Sequence, residues 1–270
     1  MGLPERQFVS LDSGRLSYRQ TGSGPDLVLL HGLAGNARTW ERQFETFADD
    51  FRITAWDAPG YGETDTVAPD IETYADTLAA FADAVGLENF ILLGHSMGGI
   101  VAGNFAGRFP DRVNGLVLSC TLLGRNQPKG APLGEKYLAR IAQLDELGPV
   151  EYGRRRAETM VAPGCDPEIL EHFAGIAAET RRDGLEAAAR VISEADNTPV
   201  FANLNMPVLV LAGEVDTTVT KEFTEAMIAS VPDTVPSLRA DYLPGVAHAP
   251  YMEDAATYNA VLGEFLEAFK

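Results

Sequence analysis

A serine lies among three glycines in the segment LGHSMGGI, residues 93–100. Gly94, Ser96 and Gly98 form a G-x-S-x-G pattern between an apolar run typical of a strand and a run typical of a helix. In that position the pattern predicts a sharp, strained turn, in which the glycines avoid backbone collisions and the serine hydroxyl is exposed. We therefore predict that Ser96 is a nucleophile for acyl transfer.

Near neutral pH a serine hydroxyl needs an adjacent base, and histidine is the side chain best suited to that task. We predict that the base is His248, which lies in a loop between the last strand-like run and the C-terminal helix. His31 follows a strand and His95 adjoins the serine, so both are predicted to be structural. His172 is expected on the surface of an amphipathic helix.

A carboxylate should orient the imidazole and stabilise its protonated form. Asp216 follows the apolar run 207–213 by three residues and precedes His248 in the chain. We predict Asp216 rather than Glu214, because Glu214 is closer to the strand end and is expected to point away. Asp57, in the segment WDAPGYG, is expected to hold loops together.

The elements that must position these groups are apolar runs separated by helical patterns. The runs are continuous, as in strands buried on both faces of a parallel sheet. Helices predicted near 71–85 and 100–109 lie between them, which indicates a doubly wound α/β fold. The segments QFVS and RLSYRQ, joined by turn residues, predict an antiparallel hairpin at the sheet edge. The predicted strands are Asp26–His31, Phe51–Trp56, Phe90–Gly94, Gly115–Cys120 and Pro207–Gly213.

A long insert interrupts this alternation between Cys120 and Pro207. Its helical composition and its length predict a cap over the sheet rather than a loop. We predict a core in two parts, 1–123 and 206–270, with the helical cap 124–205 inserted after the sixth strand. The cap contains ten basic and thirteen acidic residues, a net charge of −3 out of −18, which leaves −15 for the rest of the chain.

The composition limits the classes of partner. The chain has 270 residues and a formal net charge of −18, so nucleic acid and anionic membrane surfaces are not expected partners. The N-terminal segment has no apolar signal core and no segment approaches the ~20 apolar residues of a membrane span, which favours a cytoplasmic protein. Cys120 and Cys165 are expected to be free thiols. Metal-ligand spacings and nucleotide fingerprints are absent from the sequence, so no metal or organic cofactor is predicted, and the oligomeric state is left open.

Five segments together resemble the α/β-hydrolase fold family in its usual order: LLHGLAG, WDAPGYGETD, GHSMGG, PVLVLAGEVD and GVAHAPYMED. The resemblance spans nearly the whole chain outside the insert and implies the chain order Ser, Asp, His for nucleophile, acid and base. An oxyanion hole needs two backbone N–H donors. Met97, directly after the serine, supplies one, and the resemblance implies Leu33 for the other.

Within that family, the segment 181–216 resembles the 3-oxoadipate enol-lactonase group, as do SGRLSYRQTGSG and TWERQFETFADDFRITAWD. The resemblance implies hydrolysis of a small carboxylated ester or lactone through an acyl-enzyme. Carbon–carbon hydrolases of ring-fission products also have a similar RRDGLE stretch. However, they usually have tryptophan where this chain has Ala249 and asparagine where it has His95. A binding module, or a cofactor-free lyase or oxygenase, on the same fold would retain the same motifs.

The charge distribution also predicts that the substrate has a carboxylate. The core at −15 would repel an anion, whereas the insert holds ten of the 21 basic residues. A guanidinium can bind a carboxylate through two parallel hydrogen bonds, so an arginine of the insert is predicted to bind the substrate. The alternative is that Arg154–Arg156 and Arg181–Arg190 pair with glutamates on solvated helix faces. The sequence singles out no individual arginine.

Overall fold

A mixed sheet of eight strands forms the centre of the computed structural model, which describes residues 2–270. Met1, the first residue of the predicted core, lies outside the described residues. The strands are β1 (Arg6–Leu11), β2 (Gly14–Thr21), β3 (Asp26–Leu30), β4 (Arg52–Trp56), β5 (Phe90–His95), β6 (Val113–Ser119), β7 (Val208–Gly213) and β8 (Leu238–Leu243). Their spatial order is β1-β2-β4-β3-β5-β6-β7-β8.

Ten α-helices accompany the sheet in residues 2–270. They are α1 (Glu41–Phe47), α2 (Ile71–Ala84), α3 (Met97–Arg108), α4 (Glu135–Glu158), α5 (Pro167–Ala177), α6 (Arg182–Glu194), α7 (Thr198–Phe201), α8 (Lys221–Ile228), α9 (Pro250–Glu253) and α10 (Ala255–Leu266). Three 3₁₀ segments cover Ala37–Trp40, Pro110–Arg112 and Glu267–Phe269. None of the helices in the described range has the length and apolar character needed to cross a membrane.

The predicted α/β class and the edge hairpin are confirmed. Strands β1 and β2 pair antiparallel at one edge, and β2 pairs antiparallel with β4. The six strands β4-β3-β5-β6-β7-β8 are parallel to one another. Every residue of β5 and of β7 is buried, which explains why these strands are continuous apolar runs. Edge strand β8 has three exposed residues at its start, so its sequence lacks such a run.

Helices α4 to α7 occupy the insert between β6 and β7. Helix α4 is interrupted at Gly148, where φ is +73°, and Pro149 follows, which cannot continue the hydrogen-bond pattern of the preceding turn. The insert contacts the core loops closely, because a Cβ added to Gly184 of α6 would collide with the backbone of Gly60. It also accepts a hydrogen bond through the carbonyl of Met160 from the backbone N–H of His248, at 3.0 Å.

Candidate active site

Ser96 lies at the turn between β5 and α3, at the carboxyl end of the central strands. Its backbone angles are φ 54° and ψ −117°, a conformation that residues other than glycine rarely adopt. A Cβ added to Gly94 would collide with the carbonyl of Gly98, and one added to Gly98 would collide with the carbonyl of Leu30. The two glycines therefore allow the tight turn that presents the serine.

The structure brings the predicted serine, histidine and aspartate into one hydrogen-bonded chain. The Oγ atom of Ser96 lies 3.0 Å from Nε2 of His248, and Nδ1 of His248 lies 2.7 Å from Oδ2 of Asp216. Both the imidazole and the carboxylate are buried, whereas Ser96 is partly exposed. The three residues come from three different loops, each of which follows a parallel strand.

Asp216 is fixed by its own loop. Its Oδ1 atom accepts hydrogen bonds from the N–H groups of Thr218, at 2.7 Å, and Val219, at 3.0 Å. The Oδ2 atom is then directed to His248, whose Nδ1 must hold the proton in order to donate to a carboxylate. The other ring nitrogen, Nε2, is consequently free to accept the hydroxyl proton of Ser96.

Electrostatics favour the neutral form of the imidazole. Burial lowers the pKa of His248, the carboxylate of Asp216 raises it, and the positive charges of Arg156 and Arg140 lower it again. The net effect is a pKa below the ordinary value of 6.5. At neutral pH the ring is therefore unprotonated and able to act as a base.

Both predicted oxyanion donors lie beside the serine. Neither the N–H of Leu33 nor that of Met97 donates a hydrogen bond to another group in residues 2–270. A Cβ on Gly32 would lie only 2.9 Å from the Cβ of Ser96, so the loop containing Leu33 packs directly against the turn. A developing oxyanion requires two such unpaired N–H donors.

His31 supports the loop that contains Leu33, and His95 supports His248, as the sequence predicts for structural histidines. Nε2 of His31 accepts the N–H of Ala58 at 2.9 Å, while its Nδ1 lies 2.8 Å from the carbonyl oxygen of Gly32. Nε2 of His95 lies 2.7 Å from the carbonyl oxygen of His248. Both rings are buried, and burial lowers the pKa of each, which keeps them neutral.

The remaining candidates lie outside the hydrogen-bonded chain. Glu214 is exposed, and its Oε2 accepts the N–H of Gly245 at 3.1 Å rather than contacting His248. Asp57 accepts the N–H of Ala37 at 2.8 Å and so joins two loops, as expected. His172 is partly exposed and lies 3.3 Å from Glu41.

Cys120 and Cys165 are free thiols, as predicted. Among residues 2–270, one group of side chains has the proximity needed for metal binding: ligand atoms of His95, Cys120 and His248 lie within 4.8 Å of one another. Both ring nitrogens of His248 and the Nε2 of His95 are already hydrogen-bonded. Coordination there would break the contacts that hold His248 in place.

A family model described as the alpha/beta hydrolase family matches residues 27–261. The chain belongs to this family. A pimeloyl-[acyl-carrier protein] methyl ester esterase of Vibrio campbellii is 28% identical over 94% of this alpha/beta hydrolase and 99% of its own length. A 3-oxoadipate enol-lactonase of Acinetobacter baylyi is 28% identical over 74% of this chain and 76% of its own. A malate-bound esterase structure from Thermogutta terrifontis superimposes with a TM-score of 0.83 at 27% identity, covering 98% of this chain and 99% of the other.

The sequence analysis did not identify one acidic residue that fixes the loop of His248. The carboxylate of Glu253 accepts the N–H of Ala247 at 3.0 Å and that of Ala249 at 3.1 Å, the two residues that flank His248. It also accepts the N–H of Ala162 in the insert at 2.6 Å. The available signal was its place in the segment GVAHAPYMED, five residues after the histidine.

Proposed function

We propose that this alpha/beta hydrolase cleaves a small carboxylic ester or lactone through an acyl-enzyme formed on Ser96. The observation that supports this most directly is the chain of hydrogen bonds from Ser96 through His248 to Asp216, with separations of 3.0 and 2.7 Å. In this proposal the three residues are nucleophile, base and orienting acid. The relatives point to the same bond type, since they are named a methyl ester esterase and an enol-lactonase.

The proposed reaction begins when Oγ of Ser96 attacks the carbonyl carbon and its proton moves to Nε2 of His248. Negative charge develops on the former carbonyl oxygen, where the N–H groups of Leu33 and Met97 stabilise it. Removing one such donor typically lowers kcat by about 10²–10³-fold. The imidazolium then protonates the departing alkoxide, and Asp216 stabilises the ring while it is charged.

Hydrolysis of the acyl-enzyme repeats these steps with water. His248 takes a proton from the water, whose oxygen attacks the acyl carbon, and then returns a proton to Oγ of Ser96 as that bond breaks. An ester loses its alcohol in the first half of the reaction. In a lactone the alcohol is part of the acyl group and leaves with it at the end.

We propose further that residues 124–205 form the predicted cap over this site and shape its substrate pocket. The support is local: α6 packs against the core at Gly60, and the carbonyl of Met160 accepts the N–H of His248 at 3.0 Å. A cap in this position would limit the access of bulk water to the site and restrict the size of the acyl group. We also propose that the substrate has a carboxylate, as the charge distribution predicts.

The test measures hydrolysis of p-nitrophenyl butyrate and of δ-valerolactone by the parent, by Ser96→Ala and by Ser230→Ala. Ser230 is a partly exposed serine just after α8, whose hydroxyl donates to the carbonyl of Ala226, and it serves as the control. We expect turnover by the parent and by Ser230→Ala, and a loss of about 10⁴–10⁶-fold in Ser96→Ala. A fluorophosphonate should label the peptide that contains Ser96. Undiminished turnover by folded Ser96→Ala would contradict the mechanism.

A further inference from the structure

A cavity of about 360 Å³ lies between helix α4 and the loop that follows β7. The helix contributes four cations to its wall: Lys136, Arg140, Arg155 and Arg156. The loop contributes Thr217 and its neighbour Thr218. Helix and loop thus form a cavity that is strongly positive on one side and polar on the other.

The arginines of the insert differ in whether an acid neutralises them. Arg155 pairs with Glu151 at 3.1 Å. Three other arginines of the insert are also paired: Arg181 with Asp183, Arg182 with Asp145 and Glu186, and Arg190 with Glu194. Within residues 2–270, however, no ion pair includes Lys136, Arg140 or Arg156, the other three cations of the cavity. Their charge is therefore not neutralised by direct contact with a carboxylate.

Arg156 is the most unusual of these cations because it is 5% exposed. One of its N–H groups donates to Oγ1 of Thr159 at 2.7 Å. Its Nε has no hydrogen-bond partner in the described residues, and neither does the buried hydroxyl of Tyr152. Burial, and then the charge of Arg140, lower the pKa of Arg156 to about 10, so the guanidinium is still charged at neutral pH. A buried charge without a counterion is unfavourable unless a ligand supplies one.

The cavity is next to the catalytic groups. Thr218, on the loop side, donates its N–H to Oδ1 of Asp216 at 2.7 Å. Arg156, on the helix side, is close enough for its charge to lower the pKa of His248. The same helix leads to Met160, whose carbonyl accepts the N–H of His248. An anion in the cavity would thus be held near, but apart from, the hydroxyl of Ser96.

We propose that this cavity binds the carboxylate at the far end of the substrate, with Arg156 and Arg140 as its ligands. The proposal rests on the proposed esterase or lactonase function and names the substrate class: a short ester or lactone whose acyl chain ends in a carboxylate. Planar guanidinium groups suit this role because each can donate two parallel hydrogen bonds to one carboxylate. The ligand would also provide the counterion that Arg156 lacks.

The first experiment compares monomethyl glutarate with methyl pentanoate, which has the same acyl length and a methyl group in place of the carboxylate. Acid release is measured for the parent, Arg156→Gln, Arg140→Gln and Arg154→Gln. Arg154 is exposed on the same helix and does not line the cavity, so its variant is a matched control. We expect the parent and the control to prefer the glutarate ester in kcat/KM. That preference should fall at least tenfold in the other two variants, about 1.4 kcal/mol.

The second experiment measures binding without turnover, by titration calorimetry of the same proteins with glutarate, 1,5-pentanediol and phosphate. Glutarate should bind the parent and Arg154→Gln with similar affinity. It should bind Arg156→Gln at least tenfold more weakly. If Arg156→Gln does not fold, the same loss is expected in Arg140→Gln. Equal glutarate affinity in all folded variants would overturn the proposal, and so would phosphate binding as tight as that of glutarate.

The two experiments separate this proposal from the proposed function. If the parent cleaves both esters equally and glutarate binding is independent of the two arginines, the anion site is wrong and the esterase assignment stands. If the parent cleaves neither ester but binds glutarate through Arg156, the function is wrong and the anion site stands.

Discussion

The loops that follow β5, β7 and β8 differ from the cavity-lining part of α4 in whether their polar atoms have hydrogen-bond partners. Around His248, both ring nitrogens, the backbone N–H and the carbonyl oxygen all have partners. Both carboxylate oxygens of Asp216 are hydrogen-bonded as well. On α4, by contrast, buried Arg156 has no acid beside it, and its Nε has no partner in the described residues.

This difference indicates a division of roles between the two regions. Groups that must act in one fixed geometry are held by the protein itself, because misplacement of a base or nucleophile lowers the rate steeply. Groups that recognise a charged substrate can be left incomplete, since the substrate completes them. Changes at the strand ends should therefore reduce kcat for all substrates, whereas changes on α4 should alter the preference among substrates.

The largest effect should come from His248→Ala. Without the imidazole, Ser96 has no base and the leaving group has no acid, so we expect kcat to fall by about 10⁴–10⁶-fold for neutral and carboxylated esters alike. Circular dichroism should show that the fold is kept. A loss confined to carboxylated esters would contradict this division of roles, because it would mean that the loop of His248 takes part in substrate recognition.

Asp216→Asn should be the next most harmful change. The amide can present an N–H to the imidazole and thereby favour the wrong tautomer, which in a comparable triad lowers kcat by about 10⁴-fold. The matched change Glu214→Gln alters an exposed carboxylate and should leave kcat within about twofold of the parent. A larger loss in Glu214→Gln than in Asp216→Asn would mean that the orienting acid is misassigned.

The positions of Ser96 and Asp216 in one hydrogen-bonded chain could be predicted from sequence because local constraints determine them. The G-x-S-x-G turn between strand and helix places Ser96. Glu214 directly follows Gly213, the last residue of the strand, whereas Asp216 follows it by three residues, and this difference distinguishes the two carboxylates. Each strand with both faces buried is also visible as an apolar run. Edge strand β8 is less visible because half of its residues are exposed.

Arg156 could not be identified in the same way. It is the last of three consecutive arginines, and nothing in the sequence distinguishes it from Arg154 and Arg155. Only the packing of α4 separates them, because the first two are exposed and the third is buried. Glu253 was likewise hidden, since the N–H groups that it accepts come from both the core and the insert.

A smaller effect is expected from Glu253→Gln, which tests how firmly the loop that contains His248 is held in position. The carboxylate accepts N–H groups on both sides of His248, and an amide is a weaker acceptor that also introduces donors facing those N–H groups. Loss of about one charged hydrogen bond predicts a roughly tenfold lower kcat with little change in KM. Glu267→Gln, at an exposed site, is the control. A change in KM alone would contradict a positioning role.

The smallest expected effect is on the pH dependence of kcat/KM, through the charge of Arg156 on α4 acting on His248. In the proposed mechanism the active form of His248 is neutral. Burial lowers its pKa below the ordinary 6.5, so kcat/KM should fall with acidification only when the pH drops through that lowered value. The charge of Arg156 contributes to the lowering of the His248 pKa.

Arg156→Gln removes the charge of Arg156 and should move the acid limb of the pH profile to higher pH. The profile is measured with the neutral ester so that substrate recognition does not affect it. Arg154→Gln makes the same change in net charge at an exposed position and should leave the limb in place, because solvent screens it. Equal shifts in both variants would show a general effect of net charge, and no shift in either would mean that α4 acts on the substrate alone, without influencing the base.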